Sequence, residues 1–135
     1  MEEPRGAERR QRGRLSRSRD FDAVYRQGRS AANRHLVVYM FLRPPDERRG
    51  GGPRLGLSVS RKVGGAVERN QVKRALRERF AELSHALPAE ADVVVIARAG
   101  VAEYLDERGS AALGERFQEL LDRLGLVEGV SGAAV

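Results

Sequence analysis

From Leu36 to Leu42 the chain reads LVVYMFL, an apolar run without a polar break. Its length suits a strand apolar on both faces and is too short for a helix. Residues 54–60, RLGLSVS, alternate instead, with Leu55, Leu57 and Val59 on one side and Gly56, Ser58 and Ser60 on the other. Prolines and glycines in the intervening RPPDERRGGGP, residues 43–53, break any regular element. The two strands are therefore expected to pair antiparallel, as a hairpin with a loose tip. DVVVIAR, residues 92–98, is a third strand with a continuous apolar run.

Helical spacing marks three further segments. Phe21, Val24 and Tyr25 share one face of a short helix that starts at Ser18, a good N-cap, and stops at Gly28. Asp20 and Asp22 stand where the helix dipole favours negative charge. Val72, Leu76, Phe80, Leu83 and Leu87 recur at intervals of three and four within a helix from about residue 68 to Leu87, after the Gly64–Gly65 turn and before Pro88. Leu113, Phe117, Leu120, Leu121 and Leu124 mark a last amphipathic helix closed by Gly125. The expected order is α-β-β-α-β-α, an α/β two-layer sandwich with helices packed on a small sheet. One domain should span residues 18–126, flanked by a disordered, Arg-rich arm over 1–17 and a frayed tail over 127–135.

Composition narrows the function. A chain of 135 residues, 41% hydrophobic, fits one modest core. The absence of cysteine excludes disulfides and thiolate zinc sites. No apolar stretch approaches the ~20 residues of a membrane span, and the N-terminus lacks the apolar core of a signal peptide. A soluble, cytoplasmic protein with no membrane partner is expected. Twenty-five Lys and Arg against 19 Asp and Glu leave a net charge of +6, which points to a polyanion, with a well-solvated surface as the plain alternative. Only Lys62 and Lys73 are lysines. Guanidinium groups, which stack on bases and grip phosphates in pairs, make up the rest.

Two constellations could use that charge. Arg69, Lys73 and Arg77 stand four residues apart and line one side of the central helix, with Arg74 beside them and Asn70 near its first turn. Successive members lie about 6 Å apart along the axis, a spacing that suits a row of phosphates. A solvated charged face, with Arg74 and Glu78 as an ordinary ion pair, has the same pattern. The second constellation is aromatic. Phe21 and Tyr25 share a helix face, and Tyr39 lies on the strand face opposite Leu36, Val38 and Met40, together a platform for unstacked bases. Core packing is the competing role, above all for Phe21 and Phe41. His35 and His85 are isolated, no group has metal-ligand spacing, and no Lys-Ser or Lys-Thr follows Gly50–Gly52. No catalytic residue and no metal ligand are expected.

Taken together, these residues resemble a known family. RNQVKRALRE, after Gly64-Gly65-Ala66-Val67, is similar to the signature of the bacterial ribonuclease P protein: Arg-Asn-Arg, a hydrophobic residue, then Lys-Arg. Gln71 replaces the second arginine with an uncharged side chain. Phe21-Asp22-Ala23-Val24-Tyr25, Ala32-Asn33-Arg34, Gly56-Leu57-Ser58-Val59-Ser60-Arg61-Lys62 and Val94-Val95-Ile96-Ala97-Arg98 match in the same order, over about residues 14–125.

The resemblance implies an α/β sandwich with a left-handed crossover, and a subunit of an endonuclease that removes the 5′ leader from precursor tRNA. Its chemistry belongs to a catalytic RNA, and Mg2+ is bound mainly by that RNA, none by the protein alone. By the same resemblance Phe21, Tyr25, Tyr39, Ser58 and Lys62 line a cleft for the leader, and Arg69, Asn70, Lys73, Arg74 and Arg77 face the RNA subunit. The implied partners are the catalytic ribonuclease P RNA and precursor tRNA, with no DNA. A structural RNA-binding protein, such as a ribosomal one, would need no catalytic RNA, and a DNA-binding module should show a groove-reading helix and a dimer surface.

Overall fold

The protein is described here from a computed structural model, which places residues 14–15, 18–44 and 52–125. The expected basic arm, apart from residues 14–15, the middle of the 43–53 connection and the tail expected over 127–135 lie outside these described residues.

Helix α1 spans Ser18–Gln27, followed by strands β1 (Arg29–Ala32), β2 (Leu36–Leu42) and β3 (Arg54–Ser58). Helix α2 runs over Ala66–Leu83 into a 3-10 turn at Ser84–Ala86, strand β4 over Ala91–Ala97, and helices α3 and α4 over Val101–Arg108 and Ser110–Arg123. No helix among the described residues is long and apolar enough to cross a membrane.

The expected sandwich of helices on a small sheet is present, but its wiring differs in three places. The sheet order is β1-β2-β4-β3, so β2 and β3 do not form a hairpin. Strand β4 lies between them, antiparallel to β2 and parallel to β3. The reason is burial: Val93, Val94 and Val95 are fully buried, and a strand apolar on both faces is best accommodated in the middle of a sheet. The place of β2's hairpin partner is taken by β1, whose polar and small residues, RSAA, carry no apolar alternation. Finally, the C-terminal helical region is two helices. Gly109, at φ 90, breaks the chain between α3 and α4 in a conformation that glycine adopts without steric cost. Helix α3 buries only Val101 fully, too weak a stripe to register as a period.

The main core lies between one sheet face (Leu36, Val38 and Met40 on β2, Val93 and Val95 on β4) and the helices, which contribute Val72 and Leu76 from α2 and Leu113 and Phe117 from α4. The expected stripe of the central helix holds at Val72, Leu76 and Phe80, whereas Leu87 is buried from beyond the 3-10 turn. A smaller cluster covers the opposite face, where Val24 of α1 meets Leu15 and Val94, with Phe21, Tyr39 and Phe41 half-buried around them. Helix α1 therefore packs on the outer face and leaves part of it uncovered.

At the opposite end from the β1–β2 turn, a buried ionic knot joins three strands. Asp92, at the start of β4, is 2% exposed and Arg43, just after β2, is 6% exposed. Arg43 Nη1 donates to Asp92 Oδ1 at 2.5 Å and its Nη2 to the carbonyls of Gly52 and Ala89. Arg54 of β3 grips the same carboxylate with two hydrogen bonds of 2.8 Å and reaches Asp20 of α1 at 3.4 Å. The bonds to Asp92 are the main reason that Arg54 holds its proton more tightly than an ordinary arginine.

Candidate nucleic-acid interface

The outer sheet face and α1 form a cleft lined with aromatic rings. Phe21 and Tyr25, one helical turn apart, have ring centroids 6.3 Å apart, and Tyr25 meets Tyr39 edge-to-face at 5.1 Å and 84°. Phe21 is brought down onto the sheet by the missing side chain of Gly56, since a Cβ there would stand 2.6 Å from the Phe21 ring. Gly56 is thus a position of close approach rather than a turn. Tyr25 is 41% exposed. Its hydroxyl is pushed above the ordinary tyrosine range by partial burial and then by Tyr39.

The register extends this floor. Tyr39 pairs with Val94, which pairs with Gly56, while the next row is Val37, Ile96 and Ser58. Val37 and Ile96 are half-buried, and Ser58 is exposed. Strand β2 is apolar on both faces, as expected, but the two are not equally covered: its inner positions are buried and its outer ones, Val37, Tyr39 and Phe41, are not fully so. Val37 and Ile96 are the cleft residues that the sequence reading missed. The signal was in the strand period, but an unbroken apolar run conceals which face is open. Lys62 is exposed in the turn after β3, where its backbone N–H donates to Ser60 Oγ at 3.3 Å.

Helix α2 carries the cations. Arg69 and Lys73 are half-buried and Arg77 is exposed, and none of the three forms an ion pair among the described residues. The Nε of Arg69 is buried without a hydrogen-bond partner there. Partial burial, and then the guanidinium of Arg14, hold Arg77 below the ordinary arginine range. Arg14 bridges to Leu55 on β3, so residues 14–15 lie along that sheet edge and Arg14 adds its charge to the row. Asn70 is exposed in the first turns of the helix.

Arg74 stands apart from the row. With Gln71 and Glu78 it lines an open groove of about 420 Å³ against Leu105, Asp106 and Ser110 at the α3–α4 junction. The ordinary ion pair between Arg74 and Glu78 does not form. The fold thus brings Phe21, Tyr25, Tyr39 and Ser58 to one cleft and Arg69, Lys73 and Arg77 to one helix side. Aromatic rings on an open apolar floor can stack the bases of a polynucleotide, and uncompensated cations on one helix side can hold phosphates, with no base-edge readout required. Among the described residues no three His, Cys, Asp or Glu side chains converge as metal ligands.

Comparison with known proteins adds a family. Residues 10–125 match the family model for Ribonuclease P. The chain is 40% identical to the ribonuclease P protein component of Bacillus pumilus over 108 residues, covering 80% of this chain and 87% of that protein. It is 46% identical to the corresponding protein of Streptococcus pyogenes over 88 residues, 65% of this chain and 69% of that one. Among solved structures, the RNase P protein of Staphylococcus aureus superposes with a TM-score of 0.73 at 32% identity, covering 86% of this chain and 98% of the other. The RNase P protein of Thermotoga maritima gives 0.69 at 33%, covering 82% and 96%.

Proposed function

Because the chain belongs to the bacterial ribonuclease P protein family, we propose that it assembles with a catalytic RNA and holds the 5′ leader of precursor tRNA while that RNA cleaves it. The observation that carries the RNA reading is the Arg69–Lys73–Arg77 row, three cations on one helix side without a carboxylate partner among the described residues. The two surfaces divide the work. Helix α2, with Asn70 and Arg74 at its flanks, faces the catalytic RNA. The cleft of Phe21, Tyr25, Tyr39, Ser58 and, at its end, Lys62 takes the single-stranded leader.

A leader of arbitrary sequence is best held by stacking and phosphate contacts, which is the chemistry of the cleft. Hydrolysis of the phosphodiester is assigned to the RNA partner, together with Mg2+, for which the described side chains offer no ligand cluster. Cations beside the cleavage site lessen the repulsion between two RNAs and so strengthen both substrate and metal binding indirectly. The proposed location is the cytoplasm, where precursor tRNA is made.

Reconstitution tests the whole. With a ribonuclease P RNA and a precursor tRNA at low Mg2+, adding the protein should convert negligible cleavage into specific release of the leader. RNA-free protein should cleave nothing. Specific precursor cleavage by protein scrupulously freed of RNA would overturn the division of labour.

A salt titration tests α2. Lys73→Ala with Arg77→Ala leaves the Val72–Leu76–Phe80 stripe intact, and alanine is the better helix former, so folding should be preserved. Affinity for the catalytic RNA should fall, and the slope of log affinity against log salt should drop by roughly one to two units as fewer counterions are released. Ala81→Glu with Ala111→Glu, at two exposed positions, changes net charge by the same amount and should alter the slope less. Equal changes in the two variants would reduce α2 to a contributor of overall charge.

A further inference from the structure

The cleft does not end at Val37 and Ile96. One pair further along, β2 begins and β4 finishes, and the backbone N–H of Arg98 donates to the carbonyl of His35 at 2.8 Å. The His35 ring stacks on Tyr104 of α3 with centroids 4.6 Å apart and planes tilted by 34°. Arg116 of α4 donates from Nε to the Tyr104 hydroxyl at 3.1 Å. Arg98 is steered by a hydrogen bond from Nη1 to the carbonyl of Asn33, at 3.0 Å, and Arg34 is exposed beside it in the β1–β2 turn.

Charge is left over at this end of the sheet. Arg116 shares Glu119 at 3.2 Å, but among the described residues Arg34 and Arg98 pair with no carboxylate. Arg98 is held by a backbone carbonyl, which orients a guanidinium without neutralising it. Burial, then Arg34 and Arg116, hold His35 below the ordinary histidine range, which favours the uncharged imidazole against the Tyr104 ring. Stacked rings with the unpaired Arg34 and Arg98 nearby combine a stacking surface with phosphate-binding charge, and four residues of strand place His35 ~13 Å from Tyr39.

We propose that the cleft continues past Val37 and Ile96 onto Arg34, Arg98 and the His35–Tyr104 stack, which together carry the part of a single-stranded RNA that emerges from it. The occupant is the distal leader of precursor tRNA, because this surface is continuous with the cleft floor. The inference rests on the reading of the cleft as the leader site.

The test uses the holoenzyme, full-length protein with its catalytic RNA, and precursor tRNAs whose leaders are lengthened stepwise from one too short to leave the cleft. Arg34→Gln with Arg98→Gln should lower affinity roughly ten-fold for the longest leaders and leave the shortest leader and mature tRNA unaffected. Arg98→Lys with native Arg34 should retain most of the affinity. If loss of the Arg98–Asn33 bond disturbs folding, Arg34→Glu decides the matter alone, since Arg34 is exposed and makes no hydrogen bond among the described residues. A loss independent of leader length, a loss confined to assembly with the catalytic RNA, or no loss at all overturns the proposal. Tyr39→Ala, run in parallel, separates the two readings. If it removes the preference for a leader while the arginine variants do not, the cleft stands and only its extension falls. If neither changes leader binding, both fall.

Discussion

Asp92→Ala is expected to cost about 3–5 kcal/mol of folding stability, the range for removing one partner of a buried ion pair. The carboxylate accepts from Arg43 and, with two hydrogen bonds, from Arg54. Removing it leaves the guanidinium of Arg43 buried and charged, with only the carbonyls of Gly52 and Ala89 to satisfy it. Against a total stability of roughly 5–15 kcal/mol, a loss of this size should lower the melting temperature by about 10–20 °C. Urea unfolding should show a lower midpoint with an unchanged slope, provided that the unfolded state is unaffected. Arg43→Met with Asp92→Leu should recover much of the loss, because the penalty arises from a stranded charge and not from the lack of an attraction. A cost below about 1 kcal/mol for Asp92→Ala would show that water reaches the knot and that it does not hold β2, β3 and β4 together.

Precursor tRNA should bind the Tyr25→Ala and Tyr39→Ala proteins, assembled with the catalytic RNA, more weakly by ~1–3 kcal/mol each, or roughly 5- to 150-fold. Mature tRNA, which has no leader, should be nearly indifferent to either change. The two rings touch edge-to-face at 5.1 Å, so the double variant should lose less than the sum of the single losses. Tyr25 is 41% exposed and its removal should barely affect folding. Tyr39 supports the cluster of Val24, Val94 and Phe41, which makes Tyr39→Phe the proper control: it keeps the ring and the packing and should retain most of the binding. Equal losses for precursor and mature tRNA would return both tyrosines to a purely structural role.

How much of this was legible in the chain depends on the reach of each signal. Helix α1 and strand β2 lie within the segments their patterns mark, because caps, breakers and periodicity act over a few residues. The α2 row was legible for the same reason: positions four apart on a helix share a side whatever surrounds it. The family motifs likewise depend on order along the chain. Helix α3 and strand β1 were missed because Val101 alone, or RSAA, has too little apolar pattern to register, and neighbours supply their burial.

What the tertiary structure alone decided is pairing between distant residues. Arg43 looked like the first residue of a loop and Asp92 like the start of a strand, yet 49 positions apart they share a buried hydrogen bond. The hairpin expected of β2 and β3 gave way to an inserted β4, since the gain from burying both its faces exceeds the small entropy saved by a shorter connection. That insertion aligns Tyr39 with Val94 and Gly56, opens the cleft, and sets Arg98 beside His35 at its end. Local patterns determine which residues have a face to bury. Which faces meet is settled by competition over the whole chain, and the cleft exists only after that competition is decided.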